Sequence, residues 1–471
     1  MCKLKYLVIV TISFLIGGCT DFLEIEPPNS QMLTNSVFST DETATAAMIS
    51  VYMEMIDDGM PYYVALACGY ASDELQKYTN NIPLTDLYLN NPKPTDAFSN
   101  QIWNNAFFYV YQANSIIDGC ERSDKITPNV KKQLLGEAHF IRAFWMYYLT
   151  SLFGDIPLVL STNYQVNAKL RRSSSDLIYE QIVLDLKFSI ANLSPTYITS
   201  TGKSTNIERI RPNQASAQAF LARIYLTLNN WNDAIQMADL VINNKSMYDT
   251  VVINEVFLTN SKEAIWQIPS INNIATREGY GFILESKPLL STAQISCSTL
   301  TSWLLDAFEA GDRRRDNWIE LLNDESSQYQ FPYKYKQRMV SGSIEEQSTV
   351  LRLAEQYLIR AESKTRIGDF VGALNDINVI RRRAGLSAIY AASTEVELLK
   401  LIKKERQVEF FTEWGHRWID LKRMGYVDEV MPQVISERQG IEWSTKSHLW
   451  PLPQTEIDRN PYFEQNIGYF N

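Results

Sequence analysis

The sequence predicts a mainly α-helical protein in which tetratricopeptide-like helical hairpins frame an irregular, loop-rich lobe with a few short strands. Apolar residues recur at helical spacing over 133–148, 176–193, 213–227, 232–242, 350–366, 371–383 and 395–411. Two pairs of these segments repeat as one unit. Ala222-Arg-Ile-Tyr-Leu followed by Trp231-Asn-Asp-Ala234 aligns with Ala361-Glu-Ser-Lys-Thr followed by Phe370-Val-Gly-Ala373, at a constant offset. Each reads as a helix, a tight turn (Asn229-Asn230, Gly368-Asp369), an aromatic residue and a second helix, the form of a hairpin repeat of about 34 residues. A third, degenerate copy is expected over 136–158. Residues 60–100 and 245–350 break the pattern with short apolar runs, glycines and prolines. Within them Glu263-Ala-Ile-Trp-Gln-Ile-Pro269 reads as a strand ended by proline.

The chain opens on Lys3 and Lys5, an apolar run over 6–16, and Ile16-Gly17-Gly18-Cys19. The run is too short to span a bilayer, which takes about 20 apolar residues, and fits a secretory signal. A cysteine directly after small residues is a lipid-acceptor position, so 1–18 is expected to be removed and Cys19 lipidated. Asp21, Glu24 and Glu26 keep the segment behind it solvated, and Pro27-Pro28 stiffen it. Residues 19–30 thus read as an acidic tether. No linker composition interrupts 31–471, which reads as a single domain containing both irregular stretches.

Composition narrows the function. The net charge is −10, against nucleic-acid or polybasic membrane binding. Cys68, Cys120 and Cys297 have no C-x-x-C spacing, and His139, His416 and His448 are dispersed, so neither a disulfide framework nor a metal site is expected. Gly279-x-Gly281 lies in an irregular stretch without a following helix signal, so no nucleotide cofactor is expected. No nucleophile motif marks an enzyme. The 25 tyrosines and 10 tryptophans exceed what packing needs and suit a surface that stacks on sugar rings.

Several blocks, in order, carry a resemblance to a family. They begin with Asp21-Phe-Leu-Glu24, Trp103 through Asn114-Ser-Ile-Ile117, and Gly136-Glu-Ala-His-Phe-Ile-Arg-Ala143 leading to Phe153-Gly-Asp-Ile-Pro-Leu158. Next come Phe308-Glu-Ala-Gly-Asp-Arg313, the 352–362 run and Ile380-Arg-Arg-Arg-Ala-Gly385. The longest are Glu405-Arg through Glu409 to Glu413-Trp-Gly-His-Arg-Trp-Ile-Asp-Leu-Lys-Arg423, and Leu449-Trp-Pro-Leu-Pro453 through Asn460-Pro461 to Gly468-Tyr469. Together they resemble the SusD/RagB-like outer-membrane nutrient-binding lipoproteins. His139 stands where that pattern has arginine, Ile467 where proline is commoner, and Trp414 lengthens the Glu-Gly spacing by one.

The resemblance implies a SusD-like fold and a cell-surface glycan-binding lipoprotein, lipid-anchored in the outer membrane, facing the extracellular side. Such a protein delivers oligosaccharide to a SusC-like TonB-dependent barrel and is not an enzyme. Peptide or glycopeptide cargo, a scaffold for peptides and a glycoside hydrolase on a helical frame are the alternatives. Ligand contacts are expected from Tyr78, Asn80, Asn81 and Tyr88 before the Trp103 helix, and from Tyr280, Phe282 and Trp318 in the second lobe. Trp303, at helical spacing with Leu304 and Phe308, reads as core, as do Trp145, Trp231 and Trp450. Ser72-Asp73-Glu74 lacks the spacing of a calcium loop. Glu405, Glu409, Glu413 and Arg417 fall on one helical face, where arginines from elsewhere must separate the like charges.

Overall fold

The computed structural model describes residues 36–469 except 200, 202–203, 206, 271–273, 289–297, 326, 341, 392–393 and 439–441. Cys19, the signal segment, the tether and Cys297 lie outside the described residues. The first helices are α1 (Asp41–Asp57), α2 (Met60–Ala71) and, after the short strand β1 (Leu75–Lys77), α3 (Ile82–Tyr88). Residues 60–100 are therefore more helical than the sequence predicts. Helix α2 is buried along almost its whole length, so it carries no polar stripe from which a period could be read.

Helices α4 (Ala97–Arg122) and α5 (Pro128–Phe153) form the centre, with α6 (Ser175–Asn192) against α5. The second half of α5 is buried all round. Phe140, Phe144, Trp145, Tyr147 and Tyr148 meet Phe220, Trp266 and Trp414 there, mostly edge-to-face or tilted at centroid distances near 5 Å. The expected third hairpin over 136–158 is not one. Helix α5 runs unbroken to Phe153, and β2 (Ile156–Pro157) then pairs with β3 (Arg172–Ser173) before α6 packs back.

The two repeat hairpins are present. Helices α7 (Gln214–Thr227) and α8 (Trp231–Ile242) correspond to α12 (Leu353–Arg366) and α13 (Phe370–Arg383). Their turns match too, with Asn229 at φ 61° and Gly368 at φ 86°. Left-handed backbone at this position favours Gly or Asn, the residues found. Trp231, expected in the core, is only half-buried. It opens α8, where one ring face lies under the Arg366 guanidinium at 5.6 Å. Trp145 and Trp450 are core.

Between the hairpins lies the irregular lobe. It contains β4 (Ala264–Ile268), α9 (Arg277–Phe282), β5 (Ser298–Leu300), the single turn α10 (Ser302–Leu305), α11 (Arg313–Trp318), the hairpin β6 (Ile319–Asp324)–β7 (Ser327–Pro332) and β8 (Ser348–Arg352). Its sheets are two-stranded and antiparallel: β1 with β5, β4 with β8, and β6 with β7.

A buried charge network joins lobe to frame. Helix α14 (Glu395–Phe410) supplies Glu405 and Glu409, but it stops before Glu413. Thr412, Trp414 and Gly415 take φ of 53°, 45° and 71°, and α15 (His416–Arg423) restarts in a new direction. The helical column expected from Glu405 to Arg417 is thus broken, because the Trp414 indole turns into the aromatic core against Phe144. Glu413 still converges with Glu409. Arg352 donates to both Glu413 oxygens at 2.7 and 2.9 Å and to Glu409, and Arg314 bridges Asp312, Glu405 and Glu409. Arg383 joins Glu263 to Glu409, and Lys334 donates to the Glu409 carbonyl at 2.7 Å. Burial tends to raise the Glu409 carboxyl, but the guanidiniums of Arg383, Arg352 and Arg314 outweigh it and hold it well below the ordinary range. Burial keeps Glu405 above that range. Arg406 serves Asp420 instead, and Arg417 serves Asp73.

The C-terminal strap runs extended, as its prolines require. Its Trp450 N–H donates to the Leu152 carbonyl, and Asn466 Nδ2 donates to the Phe153 and Trp450 carbonyls, each at 2.8 Å.

Two outcomes follow for stability. Arg314→Met takes the guanidinium from buried Asp312 and one partner each from Glu405 and Glu409, and is expected to cost about 3–5 kcal/mol in urea unfolding. Glu74, fully buried beside Asp73, is pushed up to about 8 from 4.5, by burial first and the Asp73 charge second. Folding then takes up a proton between those pH values, so this group's contribution falls as pH rises from 4.5 to 8. Glu74→Gln should lose less stability than the parent chain between about pH 5 and pH 8 in chemical denaturation.

Candidate functional site

A cleft of about 520 Å³ opens where β1, α3, β5, α10, β7 and the end of α16 (Val427–Glu437) meet. Pairing of β1 with β5 sets Gln76 opposite Thr299 on one wall. In β7 the period of two places Gln328 and Gln330 on the cleft side, while Tyr329 and Phe331 are buried with Leu284. Thr301 caps α10, accepting from Leu304 N–H at 3.4 Å. That turn buries Leu304 and leaves Trp303, one position earlier and about 100° round the helix, half-buried in the cleft wall.

Trp303 is fixed on two sides. Its indole N–H donates to Glu437 Oε2 at 2.8 Å, and its carbonyl accepts from Gln407 Nε2 at 3.4 Å. Gln407 also donates to Asp73, which Arg417 holds with two hydrogen bonds of 2.6 and 2.7 Å. With Asp73 so engaged and burial favouring a neutral Glu74, the 72–74 segment offers no free carboxylate pair to a cation. Arg438 forms the cleft base. Its buried guanidinium donates to the carbonyls of Tyr70 and Tyr88 at 2.7 and 2.8 Å and to that of Ser72, and burial pushes it down to about 10.

The predicted contacts divide. Tyr78 and Tyr88 both line the cleft. Tyr88 is 4% exposed; its hydroxyl donates to Gln76 at 2.6 Å and its ring lies under Arg438, so it shapes the wall more than it offers a face. Asn81 caps α3, accepting from Leu84 N–H, and neither it nor the exposed Asn80 lines the cleft. Tyr280 sits outside the cleft beneath the Arg338 guanidinium at 4.6 Å. Phe282 is 3% exposed against Tyr62, and Trp318 is fully buried with its indole N–H on the Ile253 carbonyl, so neither can stack on a ligand. Trp303, read as core, is the tryptophan of the cleft. Its sequence signal was present: Thr301-Ser302 is a helix start, and adjacent residues on one turn cannot share a face with both Leu304 and Phe308 buried.

The arrangement presents the flat Trp303 indole, amides from three glutamines, six hydroxyls (Tyr78, Thr85, Tyr88, Thr299, Thr301 and Ser302), one carboxylate and the cations of Lys77 and Arg438, with no nucleophile–base pair among the described lining residues. That is hydrogen-bonding chemistry for a neutral polyhydroxy ligand.

Comparisons with known proteins agree with the fold. A family model described as "SusD family" matches residues 320–469, and one described as "Starch-binding associating with outer membrane" matches 21–226. "SusD-like protein P2" of Formosa agariphila is 25% identical over the whole of both chains. A SusD superfamily crystal structure from Bacteroides vulgatus superposes with a TM-score of 0.78 at 21% identity, covering 92% of this chain and 99% of that one. Surface glycan-binding protein A from Bacteroides thetaiotaomicron, in complex with laminarihexaose, gives 0.73 at 19% identity over 91% and 99%. The matching models at the two ends of the chain and the shared fold bear out its resemblance to the SusD/RagB-like family.

Proposed function

We infer that this chain is a surface lipoprotein of one folded domain, anchored in the outer membrane through Cys19. It binds an oligosaccharide in the Trp303 cleft and passes it to a SusC-like TonB-dependent barrel, without catalysing a reaction. The observation that carries the binding reading is Trp303, half-buried, immobilised through Glu437 and flanked by Gln76, Gln328 and Gln330. An indole held by its N–H keeps its ring at a fixed angle, which lowers the entropy lost when a pyranose stacks on it. Support for location comes from the matched family model, whose description names the outer membrane. Support for the ligand class comes from the fold shared with the laminarihexaose-bound protein, whose own ligand is not assigned to this chain.

The geometry argues against the hydrolase alternative. Glycoside hydrolysis usually takes two carboxylates flanking the bond. Among the described lining residues Glu437 stands alone, and it is already engaged by the indole.

Calorimetry against a panel of neutral plant and microbial oligosaccharides tests this reading. Saturable binding without product formation, weakened at least tenfold by Trp303→Ala with thermal stability retained, is the expected result; tenfold corresponds to about 1.4 kcal/mol. Product formation would favour the hydrolase. Binding of peptides in place of sugars would favour the alternative cargo.

A further inference from the structure

A second opening lies on another face of the irregular lobe, with no lining residue in common with the Trp303 cleft. It is a groove of about 600 Å³ between the 250–254 loop, α11 and the end of α13, within the size range of small-ligand sites. Arg313, Arg382 and Arg383 line it, together with Asn254, Asn317 and Thr250, and Val251, Val252 and Val379 add apolar surface.

The three guanidiniums are not equivalent. The Arg383 side chain is 5% exposed and forms the floor, tied through its terminal nitrogens to Glu263 and Glu409, while its buried Nε has no hydrogen-bond partner. Arg313 and Arg382 are exposed and make no ion pair among the described residues. Their position is built. The Arg313 N–H donates to the Ala384 carbonyl at 2.9 Å, and its side chain crosses Gly385, where a Cβ would sit 2.8 Å from Arg313 Nε. Asn254 donates to Asn317 Oδ1 at 2.8 Å, and Asn317 donates on to the Arg313 carbonyl at 2.7 Å, which fixes the opposite edge. Below them Trp318 anchors the loop through its bond to the Ile253 carbonyl.

Arginines in the last turn of a helix often answer only its dipole. Arg381 in the same turn is instead paired with Glu309 and does not line the groove. Arg382 and Arg313, brought together from two elements over a third buried guanidinium, exceed the dipole role. A concentration of positive charge on a chain of net charge −10 is matched by an anion from outside. Guanidinium forks bind carboxylate and sulfate oxygens in pairs. The neighbouring amides and the Thr250 hydroxyl suit ring hydroxyls.

We propose that this groove binds the carboxylate of an acidic sugar, as a second site distinct from the Trp303 cleft. The carboxylate half of the assignment stands on the groove alone; that a sugar carries it rests on the glycan-binding reading.

The test is calorimetry with trigalacturonate, neutral laminaritriose and sodium sulfate as probes, on the full mature chain at low salt. Trigalacturonate should bind saturably, at least tenfold more weakly to Arg313→Ala/Arg382→Ala, equally well to Trp303→Ala, and more weakly as sodium chloride rises. Neither arginine side chain makes an ion pair among the described residues, so the double variant should unfold at the parent temperature. Trigalacturonate binding unchanged in the double variant, or absent altogether, overturns the proposal. Sulfate binding lost in the double variant, with no trigalacturonate binding, marks an inorganic-anion site and overturns the sugar assignment. Laminaritriose binding lost in Trp303→Ala but not in the double variant shows the first site intact, so failure of the groove is read separately from failure of the cleft.

Discussion

Arg352 and Arg314 close on Glu409 from two sides in the interior, where Glu409 and Arg314 have no solvent-accessible surface. Around that contact four pieces of chain distant in sequence are locked together: the end of β8, the start of α11, the end of α13 and the end of α14. A buried network of this kind adds little net stability over an apolar core of the same shape, since desolvation offsets the attraction. Its effect is positional. Each carboxylate can be satisfied only by guanidiniums in one arrangement, so the irregular lobe, whose sheets are two strands wide, is held in one pose on the helical frame.

Both candidate sites depend on that pose. Trp303 reaches the cleft because α14 holds its carbonyl through Gln407 and holds Asp73 beside it. The arginine groove exists because Asp312 and Arg314 are drawn into the network, which brings Arg313 against the end of α13. The same interior contact thus places an amide- and hydroxyl-lined cleft on one face and a basic groove on another. Neither needs a rigid sheet beneath it.

What was legible in the sequence follows from range. The two hairpins could be read, turns included, because periodicity and left-handed turn residues are local. The strand at 264–268 was legible for the same reason, and the family blocks gave the fold. Helix α2 was not, since a helix buried all round has no polar face. The glutamates of α14 announced a charge column, but Arg314 and Arg352, their main partners, lie some 60 to 90 positions away in sequence and nothing local points to them. The same blindness exchanged two tryptophans. Trp318 lies beside a family motif and looked exposed; Trp303 lies beside two core residues and looked buried. Packing from the 250–254 loop and α14 decided otherwise.

The central claim, that the Glu409 cluster sets the lobe on the frame, is tested most directly by native-state hydrogen exchange on Glu409→Gln. The account predicts lost protection that spreads from α14 through β5 and α10 to the β6–β7 hairpin, with α7 and α8 unchanged. Loss confined to α14, or spread evenly over both hairpins and the lobe, would contradict it.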